Sequence, residues 1–158
     1  LEPAFLKAGP VAEANSASSA DGGAELGRAS EDTGLPIRAR IIGHASQAQA
    51  PGRFTTAPVP AAQKLLKAIG WSKEDVDLWE VNEAFAVVPM AFMHEMGIDR
   101  AKMNVNGGAC ALGHPIGTSG ARIIVTLLNA LEKRELKRGV AAICIGGGEG
   151  PAIAIERP

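Results

Sequence analysis

From Ile37 to the end of the 158-residue chain, short apolar runs of strand length alternate with stretches whose apolar residues recur every three or four positions. A chain patterned this way has few ways to bury itself. Strands must gather into a sheet and helices must cover its faces, so the expected class is α/β with a layered, mixed sheet. The pattern assigns strands to 37–45, 76–81, 103–105, 140–145 and 152–155, with helices over 60–69, 83–96 and about four turns following residue 120. Pro60 suits a first helical turn, Leu65, Leu66 and Ile69 share a face, and Gly70 ends the run. Asn82 is placed to cap the second helix, which Pro89 is expected to kink. In the third helix Ile124, Leu127, Leu128 and Leu131 form one stripe. The last two strands are separated only by Gly146–Pro151, short enough for an antiparallel hairpin.

Residues 9–34 have a different character. Gly, Ala, Ser, Asp and Glu dominate, and only Val11 and Leu26 are larger apolar residues. The division expected is therefore a poorly packed connector over 1–34 and a compact domain over 35–158. The first residues, Leu-Glu-Pro-Ala-Phe-Leu-Lys, have no basic head followed by an apolar run, so no signal peptide is expected and the chain reads as part of a longer one.

Charge excludes two classes of partner. Sixteen basic and seventeen acidic side chains are interspersed, giving a formal net charge of -1, so neither nucleic acid nor an anionic membrane is an expected partner. The most apolar stretch, 121–131, is interrupted by Arg122, Thr126 and Asn129 and is far short of the roughly 20 residues of a membrane span. Cys110 and Cys144 make no disulfide framework, and two free thiols suit a reducing, cytoplasmic setting. With His114 they could supply three zinc ligands, but they lack the paired close spacing of zinc motifs, and no metal is expected.

Three expected strand ends carry reactive groups: Asn82, His114 beyond Asn-Val-Asn, and Cys144 before three consecutive glycines. Open α/β sheets bind ligands beyond the carboxyl ends of their strands, so these three are expected to converge. Each also has a plainer reading: Asn82 as a helix cap, His114 as a turn residue bonded to backbone, Cys144 as a small buried hydrophobe. The setting favours function for His114, which sits on a bend with five glycines (Gly107, Gly108, Gly113, Gly117, Gly120) where backbone can approach a reacting group. Beside Cys144, the amides of Gly146–Gly148 are unshielded and suit an oxyanion pocket for acyl chemistry. His44 and His94 lack any such setting and are expected to be structural or solvent-facing.

Together, Val-Asn-Glu-Ala-Phe-Ala (81–86), Asn-Gly-Gly-Ala-Cys-Ala-Leu-Gly-His-Pro-Ile-Gly-Thr-Ser-Gly-Ala-Arg (106–122) and Cys-Ile-Gly-Gly-Gly-Glu-Gly (144–150) resemble the thiolases in composition, order and spacing. The resemblance implies the C-terminal domain of an enzyme of acyl-CoA and fatty-acid metabolism. Such enzymes condense two acetyl-CoA molecules, or cleave 3-ketoacyl-CoA, through an acyl group carried on a cysteine. That cysteine belongs to the N-terminal half, and neither Cys110 nor Cys144 matches its motif. The resemblance thus implies a partner half, an acyl-CoA substrate, a homo-oligomer, no cofactor besides the coenzyme A thioester itself, and no activity from these residues alone. It assigns His114 as base and thioester-oxygen ligand, Asn82 as holder of an assisting water, Cys144 as acid/base, and the Gly146 amide to an oxyanion hole. Phe85, and Phe54 from the 46–58 loop, are candidates for the acyl pocket. Asn15-Ser16-Ala17-Ser18 and Gly22–Gly27 depart from the family pattern, so coenzyme A contacts are not assigned there. The alternative is a non-catalytic module that keeps the fold as a binding or assembly surface.

Overall fold

In the computed structural model, residues 9–27 and 33–158 are described; the parts of the expected connector at 1–8 and 28–32 lie outside them. The ordered elements run β1 (Arg40–Ala48), α1 (Pro58–Ile69), β2 (Leu78–Val81), α2 (Val87–Met96), α3 (Ala109–Leu112), α4 (Ser119–Lys133), β3 (Arg138–Ala142) and β4 (Glu149–Glu156). The four strands form one sheet in the order β1-β4-β3-β2. β2 and β3 are parallel, whereas β3–β4 and β1–β4 are antiparallel, so the expected mixed sheet with a closing hairpin is found.

Alternation along the strands sorts the core onto two faces. Trp79 and Val81 of β2, Val140 and Ala142 of β3, and Ala152 and Ala154 of β4 pack with Leu65 of α1 and Phe92 of α2. Leu78, Ala141 and Ile155 face the other way, against Ile123, Leu127, Leu128 and Leu131 of α4. This parity has a consequence for the site. Glu80, two residues after Leu78, is directed at α4, and it is almost wholly buried there. Among the described residues no helix is long and apolar enough to cross a membrane.

Several boundaries depart from the pattern-based expectation, each for a physical reason. The second helix starts at Val87, not Glu83, so Pro89 falls in its first turn. Amides there have no intrahelical acceptor, so the expected kink is not needed. Asn82 caps nothing: its N–H donates to Ala142 O at 3.0 Å and extends the sheet by one bond. Residues 103–105 form no named strand, because only Met103 bridges to Trp79. The 46–56 segment is not wholly loop, since β1 continues to Ala48 along β4 and a 3-10 turn follows over Pro51–Thr56. The one-turn helix α3 inside the glycine bend was not anticipated.

The low-complexity segment also behaves differently from a loose connector. Residues 15–22 form a strap across the site end of the sheet. Ala17 N donates to Ala84 O at 3.1 Å, Ala86 N to Asn15 O at 2.8 Å and His114 N to Ser18 O at 2.8 Å. The Thr118 hydroxyl donates to Gly22 O at 2.5 Å. Small polar residues cannot build a core, but they let backbone pair with backbone at close range.

Candidate active site

The site lies beyond the carboxyl ends of β2 and β3, the two parallel strands. Asn82 follows Val81 directly and is fully buried. Its side-chain nitrogen stands 3.2 Å from His114 Nε2. The opposite ring nitrogen, Nδ1, is 2.6 Å from the Ser119 hydroxyl, which in turn donates to Pro115 O at 3.0 Å. Two of the three sequence candidates, 32 residues apart in the chain, are thus in direct contact.

Cys144 stands at the neighbouring strand end, two residues beyond Ala142, whose carbonyl accepts the Asn82 amide. Among the described residues its sulfur is not hydrogen-bonded to His114 or Asn82. Its surroundings are apolar: it belongs to the core cluster against which Phe54 and Phe85 pack, and those two rings meet edge-on with centroids 6.2 Å apart. Gly146 lies exposed just beyond it, with open space above its α-carbon. His44 and His94 are exposed.

Burial sets the proton affinities. His114 is half-buried, and desolvation together with the nearby Arg122 charge lowers its pKa from the usual imidazole value, which favours the neutral ring. Burial pushes the Cys144 thiol up, so at neutral pH it holds its proton. Cys110 is also raised, by burial and by the Glu83 carboxylate.

Residues the sequence did not single out hold this arrangement in place. Arg122 Nη2 donates to Asn82 Oδ1 at 3.3 Å, while its Nη1 is 3.5 Å from Glu80 Oε1. Asn104 is nearly buried, and its amide accepts from Val81 N at 2.7 Å and donates to Val81 O at 2.8 Å. β2 is the sheet edge on that side, so one side chain substitutes there for a missing strand. Glu83 clamps the bend to the strand end, accepting from Cys110 N and from Asn104 Nδ2, both at 3.0 Å. A Cβ at position 108 would meet that carboxylate and displace it from this clamp. A signal was present in principle for Glu80, which shares the strand parity of the buried Leu78; Arg122 lies off the apolar stripe of α4 and gave none.

A layered α/β sheet with a histidine–asparagine pair and a buried thiol at its parallel strand ends places acid/base groups where open α/β sheets bind ligands. The chain belongs to the thiolase family: the family profile described as thiolase, C-terminal domain, matches residues 35–157. It is 47% identical over 161 residues to an acetyl-CoA acetyltransferase of Thiocystis violacea, covering 99% of this chain and 41% of that protein. It is 50% identical to a probable acetyl-CoA acetyltransferase of Dictyostelium discoideum, covering 99% of this chain and 39% of that one. Among solved structures, the Bacillus anthracis acetyl-CoA acetyltransferase superposes with a TM-score of 0.94 at 42% identity, covering all of this chain and 41% of that one. Human mitochondrial 3-ketoacyl-CoA thiolase gives 0.93 at 40% identity, again over all of this chain and 41% of the other. The chain therefore spans about two fifths of the length of these relatives.

Proposed function

We propose that these residues form the C-terminal part of an acyltransferase that condenses two acetyl-CoA molecules to acetoacetyl-CoA, or runs the reverse thiolysis of 3-ketoacyl-CoA. The observation that carries the reading is the Asn82–His114 contact at the end of β2, one strand from Cys144. Family membership supports it, as do the acetyl-CoA acetyltransferases among the relatives.

In the proposed chemistry, the neutral His114 takes the proton of a cysteine thiol, and the resulting thiolate attacks the carbonyl carbon of acetyl-CoA. Coenzyme A leaves with the proton of the Cys144 thiol, which becomes a thiolate, and the acetyl group remains as an enzyme thioester. A second acetyl-CoA then loses an α-proton to the Cys144 thiolate. Its enolate carbon attacks the acetyl carbonyl, the carbon–sulfur bond to the nucleophile breaks, and acetoacetyl-CoA departs. In reverse, the Cys144 thiol, held protonated by burial, returns that proton to the departing enolate. The Gly146 amide and the Asn82–His114 pair serve as donors to the two thioester oxygens, and Phe54 and Phe85 line the acyl pocket.

The acyl-carrying cysteine lies outside these 158 residues in this reading. Cys110 is a poor candidate because its thiol donates to Glu83 O at 3.9 Å and its pKa is raised. The partner half would pack over the rim of the site, where Leu112, Ile116 and Ile145 are exposed apolar side chains. The 158 residues alone are then inactive, and the working enzyme is a cytoplasmic homo-oligomer needing no cofactor besides its thioester substrates. The test is acetoacetyl-CoA thiolysis by the full-length polypeptide. His114→Ala and Cys144→Ala should each lose activity by orders of magnitude, and near-normal rates in both would leave a non-catalytic module as the better account.

A further inference from the structure

The buried pair Glu80–Arg122 is hard to explain as a source of stability. The Glu80 side chain is 2% exposed and that of Arg122 16%, and their closest approach is 3.5 Å. Among the described residues, Arg122 Nε and Nη1 and Glu80 Oε1 have no hydrogen-bond partner. Buried ion pairs recover their desolvation cost only when the geometry is good and the remaining polar atoms are satisfied, so an apolar pair would hold β2 to α4 at least as well. What an apolar pair could not do is supply the bond Arg122 gives to Asn82, from Nη2 to Oδ1 at 3.3 Å.

That bond fixes the chemistry of the next residue. A guanidinium can only donate, so the Asn82 atom facing it must be the carbonyl oxygen, and the amide nitrogen must face His114. An NH2 group donates, so His114 Nε2 must present a lone pair. The proton of the neutral ring then lies on Nδ1, where Ser119 can accept it because its own hydroxyl hydrogen is directed to Pro115 O. Flipping the Asn82 amide would set donor against donor at Arg122, so the orientation follows from the partners.

We propose that Arg122, anchored by Glu80, is a positioning residue that orients the Asn82 side-chain amide and thereby holds His114 in its Nδ1–H tautomer, leaving Nε2 as the basic nitrogen. Its significance for catalysis rests on the reading of His114 as a base, but the tautomer itself does not. The charged groups around the imidazole are Arg122 from α4 and, behind it, Glu80 from β2; Glu83, just past β2, is turned to Asn104 and the Cys110 amide. The strap holds the His114 backbone, whose N–H donates to the Ser18 carbonyl.

The experiment is nitrogen-15 NMR of this chain labelled at histidine, followed across pH. The wild type should show His114 protonated at Nδ1 and bare at Nε2 in its neutral form. Arg122→Met should lose that single-tautomer signature and raise the His114 pKa, while Arg122→Lys, which still donates to Asn82 and opposes Glu80, should restore both. A wild-type ring protonated at Nε2, or an unchanged signature in Arg122→Met, overturns the proposal. If Arg122→Met does not fold, Asn82→Asp carries the test. It keeps an acceptor for Arg122 but offers His114 no donor, so protonation at Nε2 and a raised pKa are expected, and an unchanged spectrum overturns the proposal. Loss of the tautomer result would leave the acyltransferase reading standing. Conversely, full activity of His114→Ala would remove that reading and leave the tautomer intact.

Discussion

Replacing Asn104 with alanine should cost the chain about 3 kcal/mol, far more than one polar side chain in a loop would suggest. Asn104 satisfies both the N–H and the C=O of Val81, a residue 1% exposed at the open edge of the sheet. Truncation leaves both groups buried and unpaired, at about 1–3 kcal/mol each. Its backbone is left-handed, with φ 44°, which an alanine adopts at a cost of roughly 1–2 kcal/mol. The low ends of these ranges apply because an edge can relax to admit water, which gives about 3 kcal/mol. Urea unfolding of the chain measures this directly, with an unchanged slope as the check that the unfolded state is the same. Asn104→Gly separates the two causes: it relieves the backbone strain and should recover only about 1 kcal/mol. A loss below about 1 kcal/mol in Asn104→Ala would refute the reasoning, and so would full recovery by glycine.

Three further outcomes follow from the same structure. Burial pushes Glu80 up from 4.5 to about 7, against the opposing pull of Arg122, so folding penalises its charged form relative to the unfolded chain. Its contribution is fully present below about pH 4.5 and is lost as pH rises through about 7, so the wild type should lose about 3 kcal/mol relative to Glu80→Gln across that window, read from chemical unfolding at each pH. His114 acts in the opposite sense: its lowered pKa means that stability present above the ordinary imidazole range is lost as pH falls through the folded value, and His114→Asn should flatten that acid limb. In the loop after Cys144, Gly148→Ala should destabilise by about 2 kcal/mol or more, because φ is 104° and a Cβ would collide with the Gln49 carbonyl; Gly146→Ala meets nothing and should stay within about 0.5 kcal/mol in thermal melts.

The parts of this structure that were legible in the sequence are those set by short-range periodicity. The stripe of α4, the closing hairpin and the mixed sheet all follow from spacing that a single element must satisfy to bury one face. The pairing of Asn82 with His114 was legible only in part: Asn82 ends β2 where ligand sites gather, but His114 reaches it from the glycine bend after α3, where the expected strand at 103–105 does not form. The strap was not, since Asn15–Gly22 has no apolar pattern and owes its place to backbone bonds that composition does not encode. The start of α2 was misplaced for a related reason. Ala84 and Ala86 are bonded through their backbone to the strap and Phe85 is bridged to Ser16, and that long-range pairing outweighs a good helical pattern beginning at Glu83. Arg122 and Glu80 looked like ordinary helix and strand charges, and only the packing of α4 on β2 turns them toward each other and toward Asn82.

The measurement that tests the account most directly is acetyl transfer from labelled acetyl-CoA to the full-length polypeptide, with the labelled cysteine mapped by mass spectrometry. The account predicts a thioester on a cysteine outside residues 1–158, formed by the wild type and by Cys144→Ala but not by His114→Ala, with Cys144→Ala unable to go on to acetoacetyl-CoA. Label on Cys110 or Cys144, or undiminished condensation by Cys144→Ala, would contradict it.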